Sequence, residues 1–154
     1  MKRIALLVLA LATNAIADED EMIQMEAVDF ETGIQTIKDC LDGAETTIDE
    51  LNLIRQKMLE IKEDEDIDEE TKEYFLTYGR YIACILEKED LIKDSKLVVD
   101  KIMKENEKDD TPLNKKDLEK CLNSLNEGDL NLEQRAFGLV LCFQNVKLAS
   151  PNKR

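Results

Sequence analysis

Tyr78-Gly79-Arg80-Tyr81-Ile82-Ala83-Cys84-Ile85-Leu86-Glu87-Lys88 is the stretch from which the fold is read. Apolar side chains recur through it and its approach, at Phe75, Tyr78, Ile82, Ile85 and Leu86. Steps of three and four residues place them on one stripe of an α-helix, predicted over residues 69–88. The same rhythm continues outward. Upstream, Ile23, Ala27, Phe30, Ile34, Ile37 and Leu41 predict one long first helix, with Cys40 beside the stripe and Asp42-Gly43 ending it, Gly43 as the left-handed residue. Thr47 with Glu50 three residues on forms a capping box for a second helix, whose inner face uses Ile48, Leu51, Ile54 and Met58.

Downstream, the turn Lys93-Asp94-Ser95-Lys96 leads into a small helix carrying Val99, Ile102 and Met103. Thr111-Pro112 is a start signal for the next helix, with Thr as cap and Pro at the first helical position. That helix buries Leu118, Cys121, Leu122 and Leu125. Asn131 caps the last one, in which Ala136, Phe137, Val140, Leu141 and Phe143 surround Cys142. The expected class is all-α, a compact bundle of about six helices in one domain over residues 18–154.

Composition narrows the function. The 154 residues carry 21 Lys plus Arg against 35 Asp plus Glu, a formal charge of −14, with no His. Nucleic acid and anionic membrane surfaces need a basic face, so neither is an expected partner. Without His there is no Ser-His-Asp or Cys-His catalysis, no His-bearing zinc site and no imidazole switch. No metal or other cofactor is expected. Paired carboxylates are the remaining route to catalysis, but the charged residues fall on exposed helix faces and name no site, so an enzyme is not expected.

The first 17 residues read as a secretory signal. Lys2-Arg3 is a basic start, Ile4 to Ala12 an unbroken apolar run, and Ala15-Ile16-Ala17 a cleavage site with small residues in the A-x-A arrangement. That run is too short to span a bilayer, and no later stretch is long enough. Cleavage would remove two of the basic residues and none of the acidic ones, taking the formal charge from −14 to −16. Export to an oxidising compartment makes two disulfides the default for Cys40, Cys84, Cys121 and Cys142. Four cysteines allow three connectivities, and spacing alone does not choose among them.

Residues 60–73 hold nine acidic side chains and two lysines. Asp64, Asp66 and Asp68 alternate as in a calcium loop. In that register Glu69 stands where the loop requires Gly and Phe75 where it requires a bidentate Glu, so the match fails. The segment reads instead as a solvated acidic loop feeding a helix N-terminus, where the macrodipole favours negative charge.

The stretch 78–88 resembles the third-helix signature of insect odorant-binding proteins. Leu91-Ile92-Lys93-Asp94-Ser95-Lys96-Leu97-Val98-Val99-Asp100-Lys101 resembles that family's turn into its fourth helix. Ala136-Phe137 ahead of Cys142-Phe143 resembles its last helix. The family's usual pattern has six cysteines. Here Arg80 and Glu133 stand where the second and fifth would be, and those two are partners in the full pattern. Loss of both leaves no orphan thiol, as in the four-cysteine subclass called Minus-C. The resemblance implies the pairing Cys40–Cys84 and Cys121–Cys142. The gap between Cys40 and Cys84 is longer than the family's, and the surplus falls at 60–73, read as an insertion.

The resemblance also implies a soluble, secreted carrier with an apolar cavity for small hydrophobic molecules, odorant, pheromone or another lipophile. The expected lining is Phe30, Ile34, Tyr78, Leu97, Met103, Phe137, Val140 and Leu141. Tyr74, Tyr78 and Tyr81 are candidate hydroxyl donors to a ligand oxygen. A chemosensory receptor is a possible protein partner, and the chain is expected as a monomer or weak homodimer. With carboxylates as the only acids, release on acidification would titrate near pH 4–5 unless burial raises a pKa. The competing reading is a secreted signalling or venom-type helical protein that acts through its surface and carries nothing.

Overall fold

The structure is a computed structural model describing residues 18–62 and 66–148. The expected signal at 1–17, Asp64 of the calcium register and the tail from 149 lie outside the described residues. Seven helices and one hairpin are present among the described residues: α1 Glu19–Asp29, α2 Ile34–Gly43, α3 Ile48–Glu60, α4 Glu69–Lys88, β1 Ile92–Lys93, β2 Lys96–Leu97, α5 Val99–Glu107, α6 Lys115–Glu127 and α7 Leu132–Asn145. The fold is all-α.

The count exceeds six because the first predicted helix is two. After α1, Glu31 takes a left-handed φ of 54°. Its N–H donates to the Val28 carbonyl at 3.1 Å, and that of Thr32 to Ala27 at 2.9 Å. These paired bonds close a Schellman motif, and Gly33 then caps α2 with extended backbone. The apolar stripe survives the break: Ile23, Ala27 and Phe30 of the first part and Ile37 and Leu41 of the second are all buried. Gly43 is not the left-handed residue after α2. The buried Ala44 carries the chain one position further, and Glu45 adopts φ 54°.

Side-chain caps start most of the later helices. Thr47 accepts from the Glu50 N–H at 3.2 Å as predicted, while the Glu50 carboxylate accepts from Thr46 Oγ1 at 2.8 Å instead of returning to the cap. Asp68 caps α4, accepting from the Thr71 N–H at 2.8 Å. The last acid of the failed calcium register is therefore a helix cap, and these hydrogen bonds from Thr71 hold its carboxyl below the usual range. Helix α7 opens on a complete capping box between Asn131 and Gln134.

The Thr111-Pro112 start signal is overridden. Leu113 bridges to Leu148 in extended conformation, and the buried Asn106 side chain both donates to the Leu113 carbonyl, at 3.0 Å, and accepts from its N–H, at 2.9 Å. The cap moves to Asn114, whose side chain accepts from Asp117 N–H at 3.1 Å. The predicted turn at 93–96 is the hairpin tip, with Asp94 and Ser95 at φ 52° and 63°, the signs a two-residue type I′ turn requires. Arg135 holds this tip to the bundle, its guanidinium donating to the carbonyls of Ser95, Leu125 and Gly128 at 2.6, 3.0 and 3.1 Å.

Helix α4 runs through the middle, packing chiefly on α7 and also on α2, α3 and β1. The implied bridges are present: Cys40–Cys84 ties α2 to α4 and Cys121–Cys142 ties α6 to α7, with Cα separations of 5.5 and 6.0 Å. Closing loops of 44 and 21 residues contributes about 3–4 kcal/mol each in the chain-entropy model. At the α4–α7 contact a Cβ on Gly79 would lie 2.3 Å from the Glu133 carbonyl oxygen. Beside it, Arg80 Nε lies 3.9 Å from Glu133 Oε1. The two positions vacated by the family's third cysteine pair are thus adjacent and oppositely charged, an ion pair where the full pattern has a bond.

Because the obstacle at Gly79 is backbone, Gly79→Ala is expected to destabilise the fold by about 1–3 kcal/mol, the range of overpacking. Gly43→Ala, which meets nothing within 4 Å, is expected to be neutral or stabilising. Urea unfolding of both variants checks the contrast.

Candidate functional site: the bundle interior

Most of the expected lining residues meet inside the bundle. Phe30, Tyr78, Leu97, Met103 and Val140 belong to one buried apolar cluster, with Phe137 packed against it. The Phe137 ring stacks on Phe75 with centroids 4.9 Å apart and meets Tyr78 edge-on at 6.3 Å. Phe30 meets Tyr81 edge-on at 6.4 Å. These offset and T-shaped contacts suit the aromatic quadrupole.

Two expected lining residues fall outside. Ile34 is 43% exposed and Leu141 37% exposed. Ile34 is the first residue of α2, just past the break that turns the chain. Leu141 lies between the buried pairs 139–140 and 142–143, which point α7 inward and leave residue 141 on the outer side. Of the tyrosines, Tyr74 is the outer one: its hydroxyl donates to Glu70 at 3.2 Å, and Lys57 Nζ lies 5.5 Å from its ring centroid.

Tyr78 and Tyr81 belong to a buried polar cluster whose other members, Glu26 and Arg55, sequence reading missed. Glu26 and Arg55 are each 2% exposed. Arg55 Nη2 donates to Glu26 Oε1 at 2.6 Å and Nη1 to Oε2 at 3.2 Å, a bidentate pair. Arg55 Nε donates to Tyr78 Oη at 3.2 Å, and Tyr81 Oη donates to Glu26 Oε1 at 2.9 Å. The cluster joins α1, α3 and α4 at the level of the Phe30–Tyr81 contact. A signal was available: Glu26 is three residues after Ile23 and four before Phe30, and Arg55 is four after Leu51. A charge at a stripe position is either misplaced or paired.

Burial opposes the guanidinium charge, but Glu26, Tyr78 and Tyr81 outweigh it, so Arg55 is held above its usual range. Burial raises the Tyr78 and Tyr81 hydroxyls, keeping both protonated. The interior therefore holds one ion pair of zero net charge flanked by two neutral phenols.

A second electrostatic feature lies after α4. Burial raises the Glu89 carboxyl to about 7, reinforced by Glu31 and Glu105 and opposed by Lys101. Among the described residues Glu89 Oε1 has no hydrogen-bond partner, and Lys101 Nζ donates to the residue's backbone carbonyl at 2.9 Å. This is the exception the sequence left open for a histidine-free chain, an acid titrating near neutrality.

Two outcomes follow. Arg55→Met strands the Glu26 carboxylate and is expected to cost about 3–5 kcal/mol, while Glu26→Gln with Arg55→Met recovers most of it. Denaturant unfolding of the two singles and the double checks this, and additive losses would contradict the pairing. For Glu89 the folded pKa is raised, so its contribution is fully present below about pH 4.5 and lost as pH rises to about 7. The stability of Glu89→Gln relative to wild type is therefore expected to grow over that window. Melting curves at several pH values show it; a constant offset would contradict it.

Among the described residues, no helix is long and apolar enough to cross a membrane and no group of acidic or cysteine side chains is placed to hold a metal ion. No curated protein and no solved structure matches the chain. A family model does: that of the PBP/GOBP family aligns with residues 23–146, from the first buried residue of α1 to the cap of α7. The chain belongs to the PBP/GOBP family, the insect odorant- and pheromone-binding proteins, which bind small hydrophobic ligands.

Proposed function

We propose that the protein is a secreted soluble carrier that takes up a small lipophilic molecule inside the helical bundle and performs no catalysis. The carrying observation is the family match over residues 23–146, on a chain whose aromatic and aliphatic side chains converge in one interior cluster. Phe30, Tyr78, Leu97, Met103, Phe137 and Val140 form the proposed ligand surface. Met103 supplies an adaptable thioether, and Phe137, half-buried over Phe75 and Tyr78, borders the outside. Export rests on the signal pattern of residues 1–17.

Binding in such a site is driven by desolvation of the ligand, with a few polar groups setting its orientation. About ten buried methylene equivalents at about 0.8 kcal/mol each give a gross gain near 8 kcal/mol. Ordering costs bring this to about micromolar affinity. The two disulfides suit the role, since cross-linked helices stay together while interior side chains rearrange around a guest.

The test is displacement of an environment-sensitive apolar fluorophore by fatty acids and terpenoids from the oxidised protein. Saturable uptake with about micromolar competition is expected. Absence of uptake for every probe would overturn the carrier reading.

A further inference from the structure

The formal charge is not spread evenly along the chain. Residues 18–110 carry 30 acidic and 12 basic side chains, while residues 111–154 carry five acidic and seven basic. The basic part shows on α6. Leu118 and Leu122 turn inward, and the helix packs on α5, α7 and β2. Its outward side carries a shallow groove lined by Lys115, Lys116, Glu119, Lys120 and Asn123, all exposed. Lys115 is taken by Glu107, whose Oε1 lies 3.3 Å from Nζ. Lys116 and Lys120 have no ion pair among the described residues, in a chain where acids outnumber bases 35 to 21. The two stand one helical turn apart on the same face.

A matching acidic row opens α4, beside the end of α3. Asp66, Glu69, Glu70 and Glu73 are all exposed there. Glu69 and Glu73 are likewise one turn apart. Glu69 meets its own neighbour Lys72, at 2.9 Å, and Glu73 has no ion pair among the described residues. Among those residues no ion pair joins this row to α6 within one copy.

We propose that the outward face of α6 docks a second copy of this chain by the start of its α4, with Lys116 and Lys120 of one copy facing Glu69 and Glu73 of the next. Each pair spans about 6 Å along its helix, so two ion pairs form in register. The large net charge does not prevent this. At physiological salt, screening acts beyond about 8 Å, so distant acids are muted while charges in contact are not. An anionic membrane fits the row less well. Such surfaces take clusters of about four to eight basic side chains, and the acidic remainder of this chain repels them. Different faces of the two copies meet, so the contact is heterologous and either closes on itself or continues as a chain.

The test is sedimentation equilibrium of the oxidised protein. Exposed ion pairs are individually weak, so a Kd of about 1 mM is expected. Wild type is expected to gain weight-average mass with concentration, about doubling near 1 mM in about 0.15 M salt, and to lose the gain in about 1 M salt. Lys116→Gln with Lys120→Gln is expected to stay monomeric, and so is Glu69→Gln with Glu70→Gln and Glu73→Gln. An equal mixture of the two variants keeps one intact pair of rows. Association is expected to return there as a one-to-one dimer and go no further, which a misfolded variant would not allow. Wild type that stays monomeric, association that survives the high salt, or a mixture that stays monomeric overturns the proposal. Binding to phosphatidylserine vesicles without self-association also overturns it and assigns the lysines to lipid headgroups.

Discussion

The contact of α4 with α7 at Gly79 sets where everything else in the bundle stands. A side chain there would collide with the Glu133 backbone, so the two helices meet closely at this one residue. Tyr78 and Phe137 face each other on one side of the crossing, and Arg80 and Glu133 pair on another. On the opposite flank of α4 the Cys40–Cys84 bridge brings in α2, while Cys121–Cys142 locks α6 onto α7. The family's third covalent tie would span this same crossing. In this chain a part-exposed ion pair stands there, and such pairs contribute at most about 1 kcal/mol. Close backbone packing carries most of the work, and the two helices are left freer to adjust than a disulfide would allow.

Inside this frame, apolar packing and a charged cluster share one interior. The Glu26–Arg55 pair ties α1 to α3 and reaches α4 through the two tyrosines. Removing half of it is expensive, whereas its net benefit over an apolar core is small. Its clearest consequence is placement: it sets a paired charge and two phenols where α1, α3 and α4 meet. Glu89 lies away from this cluster, where α4 hands over to the hairpin. Its neighbours Glu31 and Glu105 belong to the α1–α2 turn and to α5. Protonation there removes the cost of burying the charge and, with it, the repulsion from Glu31 and Glu105, so acidification stabilises that corner of the fold.

Periodicity made the helices legible. The predicted 69–88 helix matches α4, and the stripes at 48–58 and 99–103 lie on α3 and α5. The cysteine pairing followed from the resemblance, which also marked Arg80 and Glu133 as the two vacated positions, and the structure brings those two residues together. What the sequence hid has physical reasons. The break at residues 30–33 keeps the stripe in register on both sides, so spacing does not betray it, and an acidic residue, Glu31, takes the left-handed position where glycine is the usual sign. The start of α6 moved to Asn114 because Asn106 and the Leu148 bridge hold residue 113 extended, a contact between parts distant in sequence. Glu26 and Arg55 were passed over because each reads as a surface charge until its stripe position is weighed. Ile34 fits the stripe by spacing but stands just past the break as the first residue of α2, and Leu141 falls on the outer side of α7, so both lie at the surface.

A ligand held inside the bundle has a different footprint from one held on its surface, and nuclear magnetic resonance separates the two. The oxidised protein, labelled at aromatic and methyl groups, is titrated with 2-undecanone. Shift changes and ligand contacts concentrated at Tyr78, Met103, Phe137 and Val140, with Val28, Leu53 and Leu148 unaffected, are the result expected of an interior carrier. Contacts confined to those exposed apolar residues, with the interior signals unmoved, would contradict it.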